Sequence, residues 1–376
     1  MAFIHTTLVP VVGPVGEAKT KPTQHSVREL RAIGIRPTMI VTRGPLPLTP
    51  EIKAKISLFC DVPPEAVISV PDQSVIYEVP LVLEAQGVGR HLTKLLGLPD
   101  REPDYGSWKR FLETYRKGEG SVEVAVVGKY TELHDAYLSH SEAFHHCQGR
   151  LGCTIHVSWY DSEDLPRDAV AMQRVERADA ILVPGGFGGR GVEGKIRAIH
   201  AARTMGIPYL GVCYGFQMAA IEFARNVLAL PKASTTEVDP HTPDPVVCLL
   251  EQQKGVADLG GTMRLGAQKI ALEEDSRTAR LYGRTEIWER HRHRFEINPA
   301  YLDRFRAHGL SVAGRSTDGR VEVLEIPEHP FFVGVQYHPE FLSRPEAPHP
   351  LYLSLVQAAL ARKEVPRPAA STPARA

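Results

Sequence analysis

A cysteine on a sharp turn between a strand and a helix is placed to act as a nucleophile, and residues 211–217, Gly-Val-Cys-Tyr-Gly-Phe-Gln, have the make-up of such a turn. The run Ile207-Pro-Tyr-Leu-Gly-Val predicts the strand, and Tyr214, Met218, Ala219, Ala220, Ile221 and Phe223 recur at helical spacing behind it. Cys213 then caps the helix, where unpaired N–H groups and a partial positive charge favour a thiolate over a thiol. Gly211 and Gly215 remove the Cβ atoms that would crowd so tight a bend, as in the nucleophile elbow of hydrolases. A cysteine that only fills a core fits the same composition, and Gln336-Tyr-His-Pro-Glu decides between the two. It follows an apolar strand at 331–335 and sets His338 and Glu340 on one face of an extended chain. His338 can take the thiol proton while Glu340 fixes its tautomer and stabilises the imidazolium.

These groups need a sheet to carry them. Residues 26–100 read as α/β, with helices at 26–33 and 51–59, strands at 38–42 and 66–70, and helical residues over 81–96. From 99 to 120 the chain turns polar, with Pro99-Asp-Arg-Glu-Pro-Asp-Tyr-Gly and Lys117-Gly-Glu-Gly, which marks a linker at 99–121. A second domain, 122–362, opens on Val122-Glu-Val-Ala-Val-Val-Gly and alternates strands with helices: 135–149 helical, 154–159 extended, 180–183 extended, 194–204 helical, then the turn at Cys213. That order is the signature of a doubly wound α/β sheet. The Pro- and Ala-rich tail, 363–376, is expected to be disordered.

Lys+Arg and Asp+Glu are both 44, so no overall field favours nucleic acid or an anionic membrane, and any nucleotide must be held locally. No apolar run reaches the ~18 residues of a membrane span, and the reading is of a cytoplasmic protein. The five cysteines are odd in number and irregularly spaced, which suits reduced thiols. His145-His-Cys147 with Cys153, and His291-Arg-His-Arg294, lack the paired spacing of a zinc site, so no metal is expected. The first reads as the end of an amphipathic helix. In the second, alternation along a strand aims His293 away from Arg292 and Arg294.

Cys213, His338 and Glu340 resemble the triad of class I glutamine amidotransferases, which release ammonia from glutamine through a thioester. Ala180-Ile-Leu-Val-Pro-Gly-Gly-Phe-Gly-Gly-Arg-Gly resembles that family's strand and glycine-rich loop. The resemblance implies an oxyanion hole from the Gly186 and Tyr214 N–H groups. It also implies glutamine contacts at Gly186, Tyr214, Gly215, Phe216, Gln217, Glu237 and Arg294. Gly16-Glu-Ala-Lys-Thr-Lys-Pro-Thr-Gln-His-Ser-Val resembles the pyrimidine-nucleotide loop of the CTP synthase family, whose members aminate UTP to CTP with ATP. Arg190-Gly-Val-Glu-Gly, Asp258-Leu-Gly-Gly-Thr-Met-Arg-Leu-Gly-Ala-Gln and Glu289-Arg-His-Arg-His-Arg-Phe-Glu resemble that family's glutaminase half, and the likeness runs from about residue 2 to about residue 361.

The resemblance implies UTP or CTP contacts at Lys19, Thr20, Lys21, Pro22, Thr23, Gln24 and Lys55, and ATP contacts at Pro71, Asp72 and Gln73. By composition alone, Lys19–Gln24 reads first as a solvated basic loop, and Lys55 equally as an exposed helix position. ATP, Mg²⁺, activation by GTP and a homotetramer are further family expectations. The family's phosphate loop and metal carboxylates are upstream of the nucleotide loop, so residues 1–98 are expected to be the C-terminal part of an N-terminally truncated amidoligase domain, with only the glutaminase half complete. Gly189-Arg-Gly-Val-Glu-Gly-Lys195 starts like a phosphate loop but runs into Ile196, which offers no hydroxyl to Mg²⁺. Two other readings stay open: a stand-alone glutamine or thiol hydrolase of the same fold, and a nucleotide-binding subunit without turnover.

Overall fold

The computed structural model describes residues 1–13, 16–129, 134–249 and 263–364. Residues 258–262 of the segment beginning at Asp258, and the tail beyond 364, lie outside the described residues. The chain divides into two compact units, Met1–Gly106 and Ser107–Ala376.

In the first unit, β1 (Ile4–Leu8), β2 (Met39–Gly44) and β3 (Val67–Pro71) form a parallel sheet in that order. Helices α1 (Lys21–Ala32) and α2 (Pro50–Cys60) pack Val27, Ile56 and Cys60 on Val9, Ile40 and Val67. On the other face, α3 (Val79–Ala85) and α4 (Val88–Leu96) set Leu83, Val88 and Leu92 against Met39, Ala66 and Ile68. Helix α1 starts five residues before the expected position 26, at Lys21, because Pro22 suits the first turn, where no N–H is needed.

The segment expected to be a linker carries helix α5 (Gly106–Lys117). Phe111 and Leu112 are buried, and Trp108, Phe111, Leu112 and Tyr115 stand at helical spacing, so one face of a mostly polar stretch is apolar. Phe111 fits where Gly149 leaves room, since a Cβ on Gly149 would lie 1.9 Å from its ring.

The second unit is built on a nine-stranded sheet. Its strands are β4 (Ser121–Gly128), β5 (Thr154–Asp161), β6 (Ala180–Val183), β7 (Tyr209–Val212), β8 (Arg264–Leu272), β9 (Glu286–His293), β10 (Ser311–Ser316), β11 (Val321–Glu325) and β12 (Phe332–Val335). The spatial order is β9-β8-β10-β11-β12-β7-β6-β4-β5. The five strands from β12 to β5 are parallel, and β9, β8, β10 and β11 extend them as an antiparallel sheet. Alternate residues of β4 face opposite cores. Ala125 and Val127 join Ile196, Ile199, Phe216 and Ile221 on one side; Val122, Val124 and Val126 join Phe144, Cys147, Tyr352 and Leu355 on the other. These layers are supplied by α6 (Leu138–Leu151), α7 (Val192–Met205), α8 (Tyr214–Asn226) and α9 (Pro350–Glu364). Among the described residues, no helix is long and apolar enough to cross a membrane.

Candidate active site

Strands β12, β7 and β6 lie side by side and parallel, with Val335 opposite Val212 and Val183 opposite Gly211. The segments leaving their carboxyl ends therefore emerge together: residues 336–340, Cys213 and residues 184–188. The carboxyl edge of a parallel sheet is where open α/β folds build their sites.

Cys213 sits between β7 and α8 with φ 52° and ψ −97°, outside the regions favoured for a side-chain-bearing residue. The backbone is held there by packing. Cys213 N–H donates to Val335 O at 2.7 Å. A Cβ on Gly215 would lie 2.0 Å from Val183 O, and one on Gly211 would lie 2.9 Å from Gly215 O, so both positions require glycine. Gln336, which sequence reasoning did not single out, donates its amide to Cys213 Sγ at 3.7 Å. Gln217 in turn donates to Gln336 Oε1 at 3.1 Å and to Phe295 O at 2.9 Å. Gln217, expected to touch glutamine, thus also orders the wall beside the sulfur.

His338 Nδ1 meets Glu340 Oε1 at 2.8 Å. The pair is not extended as the i, i+2 argument supposed: His338 caps a 3₁₀ turn, Pro339–Leu342, which Pro339 opens with its fixed φ. His338 N–H is anchored on Arg290 O at 2.9 Å. Burial would lower the pKa of the imidazole, but Cys213, by charge and hydrogen bond, and then Glu340 outweigh it and raise it to about 10. Glu340 is itself buried, yet its pKa is lowered: the opposing effect of burial is overcome by His140 and His338. His140, another residue the sequence reading passed over, projects from α6 with Nε2 3.7 Å from Glu340 Oε1, and its Nδ1 hydrogen-bonds the Tyr352 hydroxyl.

Gly186, Cys213, Gln217, Glu237, Arg294 and His338 line one cleft of about 640 Å³. Tyr214, Gly215 and Phe216 continue from Cys213 into the buried start of α8. Gly186 is next to Tyr214, for a Cβ on it would stand 3.8 Å from that ring. Glu237 accepts from Gly188 N–H at 2.8 Å, and Tyr214 OH donates to Gly188 O at 2.6 Å, so two of the expected glutamine contacts fix the glycine loop. On β9, His291 and His293 are buried and Arg290 and Arg292 exposed. His145 and His146 have separate partners, Tyr115 OH and Ser343 Oγ, each at 2.8 Å. The stretch that starts like a phosphate loop is packed shut. A Cβ on Gly194 would lie 1.9 Å from Ser162 O, and Lys195 is buried on Ser162 Oγ at 2.8 Å, its pKa lowered by burial to about 7.

In the first unit, Lys21 and Pro22 begin α1, exposed beyond the carboxyl end of β1. Thr20 and Thr23 are buried: Gln24 donates to Thr20 Oγ1 at 3.0 Å, and Thr23 Oγ1 meets Thr7 Oγ1 at 3.2 Å. Lys19 pairs with Glu17 at 2.5 Å, and both Lys19 and the more distant Lys55 lower the Glu17 pKa. Lys55, on α2, reaches Glu17 by charge alone. Pro71 ends β3 and Asp72 and Gln73 follow it, with Asp72 ion-paired to Arg43 at 3.3 Å and Gln73 donating to Pro71 O at 2.7 Å.

Comparison with known proteins adds the family setting. The class-I glutamine amidotransferase family model matches residues 132–358, and the CTP synthase N-terminus model matches residues 1–98. A CTP synthase of Thermococcus gammatolerans is 49% identical over 365 residues, 96% of this chain and 68% of that protein. A CTP synthase of Methanopyrus kandleri is 51% identical over 359 residues, 95% of this chain and 67% of that protein. Among solved structures, the glutaminase domain of Trypanosoma brucei CTPS with bound acivicin superposes with a TM-score of 0.61 at 39% identity, covering 64% of this chain and 94% of that one.

Proposed function

The chain belongs to the CTP synthase family of C–N ligases with glutamine amidotransferase activity, and we propose that its second unit supplies ammonia by hydrolysing glutamine at Cys213. The observation that carries this is the convergence of a strained Cys213, the His338–Glu340 pair and the glutamine-contact residues on one cleft. His338 takes the Cys213 proton, and the sulfur adds to the carboxamide carbon of glutamine. The Gly186 and Tyr214 N–H groups receive the charge on the tetrahedral oxygen. As the C–N bond breaks, the imidazolium returns its proton to the departing nitrogen, which leaves as ammonia. Water, deprotonated by His338, then cleaves the γ-glutamyl thioester, and glutamate departs with Cys213 restored. Glu340 keeps the imidazolium oriented throughout. Glu237 and Arg294 on the cleft wall favour an amino-acid substrate over a general thiol-hydrolase substrate.

In the first unit, Lys19–Gln24 with Lys55 holds the triphosphate of UTP, or of CTP as an inhibitor, and Pro71–Gln73 lies toward ATP. ATP supplies the activation of the uracil oxygen in the family's reaction. The Gly189–Lys195 segment, with Gly194 packed on Ser162 O and Lys195 buried on Ser162 Oγ, does not fit a phosphate. The test is ammonia release from glutamine, with GTP present, by the parent chain and by Cys213→Ala. The variant should fold and be inactive; release at the parent rate would remove Cys213 from the chemistry.

A further inference from the structure

Behind the His338–Glu340 pair the structure contains a third buried group that the glutaminase chemistry described above does not use. His140 lies on α6, 4% exposed, and reaches the rear of the Glu340 carboxylate: its Nε2 is 3.7 Å from Oε1, the oxygen that holds His338 Nδ1 at 2.8 Å. On its other side, Nδ1 is hydrogen-bonded to the hydroxyl of Tyr352, a fully buried residue of α9. The Tyr137 and Tyr352 rings flank the imidazole at 6.0 Å and 6.1 Å.

The Glu340 carboxylate facing Nε2 favours the His140 proton on that nitrogen and leaves Nδ1 to accept from Tyr352. Burial keeps Tyr352 protonated, so its hydroxyl has a proton to donate to His140 Nδ1. An imidazole that accepts at Nδ1 carries its own proton on Nε2, the atom turned to Glu340. Burial also disfavours a charged His140, with Glu340 opposing and His338 reinforcing that effect. Oε2, the second oxygen of Glu340, is buried with no hydrogen-bond partner among the described residues, so Oε1 carries both the His338 hydrogen bond and the approach of His140. The other titratable groups along this line include Tyr137, whose ring lies 6.0 Å from that of His140, Cys147, which acts on Tyr352, and Cys213, which acts on His338.

We propose that His140 is a positioning residue for glutamine hydrolysis: a neutral imidazole, set in one tautomer by Tyr352, that points Nε2–H at Glu340 and keeps this carboxylate ionised and aimed at His338. The inference rests on the Cys213 reading above.

The experiment is ammonia release from glutamine against pH by the full chain with His140→Leu, His140→Gln and Cys213→Ala, alongside thermal unfolding. His140→Leu should lower kcat about ten-fold with KM within about two-fold, and move the acid limb of the profile up by about one pH unit, as Glu340 becomes harder to ionise. His140→Gln, which retains an N–H donor, should recover most of the loss. Should His140→Leu fail to fold, Tyr352→Phe carries the same test, with an expected loss of about three-fold or more. A His140→Leu profile equal to the parent's, or equal losses in the Leu and Gln variants, overturns the inference. Those results with Cys213→Ala inactive sink this inference alone; an active Cys213→Ala sinks the reading beneath it.

Discussion

His338 Nδ1 and Glu340 Oε1 lie 2.8 Å apart across a single proline, on a turn whose His338 end is tied to the antiparallel half of the sheet through Arg290 O. The carboxylate can therefore neither follow nor leave the imidazole without moving the turn. Glu340 is among the groups that raise His338 to about 10, so Glu340→Gln should bring its titration down. The expected kinetic result is a fall in kcat for glutamine hydrolysis of about 10²-fold or more, smaller than for Cys213→Ala, with KM little changed. Histidine titration followed by NMR checks the direction: an unchanged or higher His338 pKa in Glu340→Gln contradicts the assigned coupling.

The turn at Cys213 is held by contacts that leave no room at Gly215. A methyl group there meets Val183 O at 2.0 Å, so Gly215→Ala must displace β6 or α8. Denaturant unfolding should show a loss of about 3 kcal/mol or more, together with loss of ammonia release. A variant as stable as the parent would mean that the close approach is not needed to hold the turn.

In the first unit the two lysines of the proposed nucleotide loop are unequal. Lys19 is already paired with Glu17, whereas Lys21 stands exposed at the start of α1. Lys21→Ala is thus expected to weaken UTP binding about ten-fold, the worth of one charge-assisted bond, and to leave nucleotide-free glutamine hydrolysis unaltered. Calorimetric titration with UTP decides it, and parent-like affinity returns the loop to a plain basic helix start.

How much of this was legible in the sequence follows from how local each feature is. The strand, glycine, cysteine and helix of residues 207–223 form one contiguous signal, and His338 with Glu340 are two residues apart, so their types and spacing sufficed. Helix α5 was missed because Phe111 and Leu112 stand in a stretch whose average is polar, and only the helical phase of Trp108, Phe111, Leu112 and Tyr115 reveals it. The burial of Thr20 and Thr23 within Lys19–Gln24 was hidden for a different reason: Thr23 is committed to Thr7, on a strand that composition did not announce. Gln336 and His140 could not be found by spacing. Their partners are contributed by the fold, Cys213 lying 123 residues from Gln336 and Tyr352 lying 212 residues from His140.

The central claim is that glutamine is opened through a thioester on Cys213, and the most direct measurement is mass spectrometry of the chain quenched in acid during turnover of glutamine. One γ-glutamyl group should appear on the peptide holding Cys213 and disappear when glutamine is exhausted, while Cys213→Ala should carry none. Steady ammonia release with no adduct on that peptide, or the same adduct on another residue, would contradict the account.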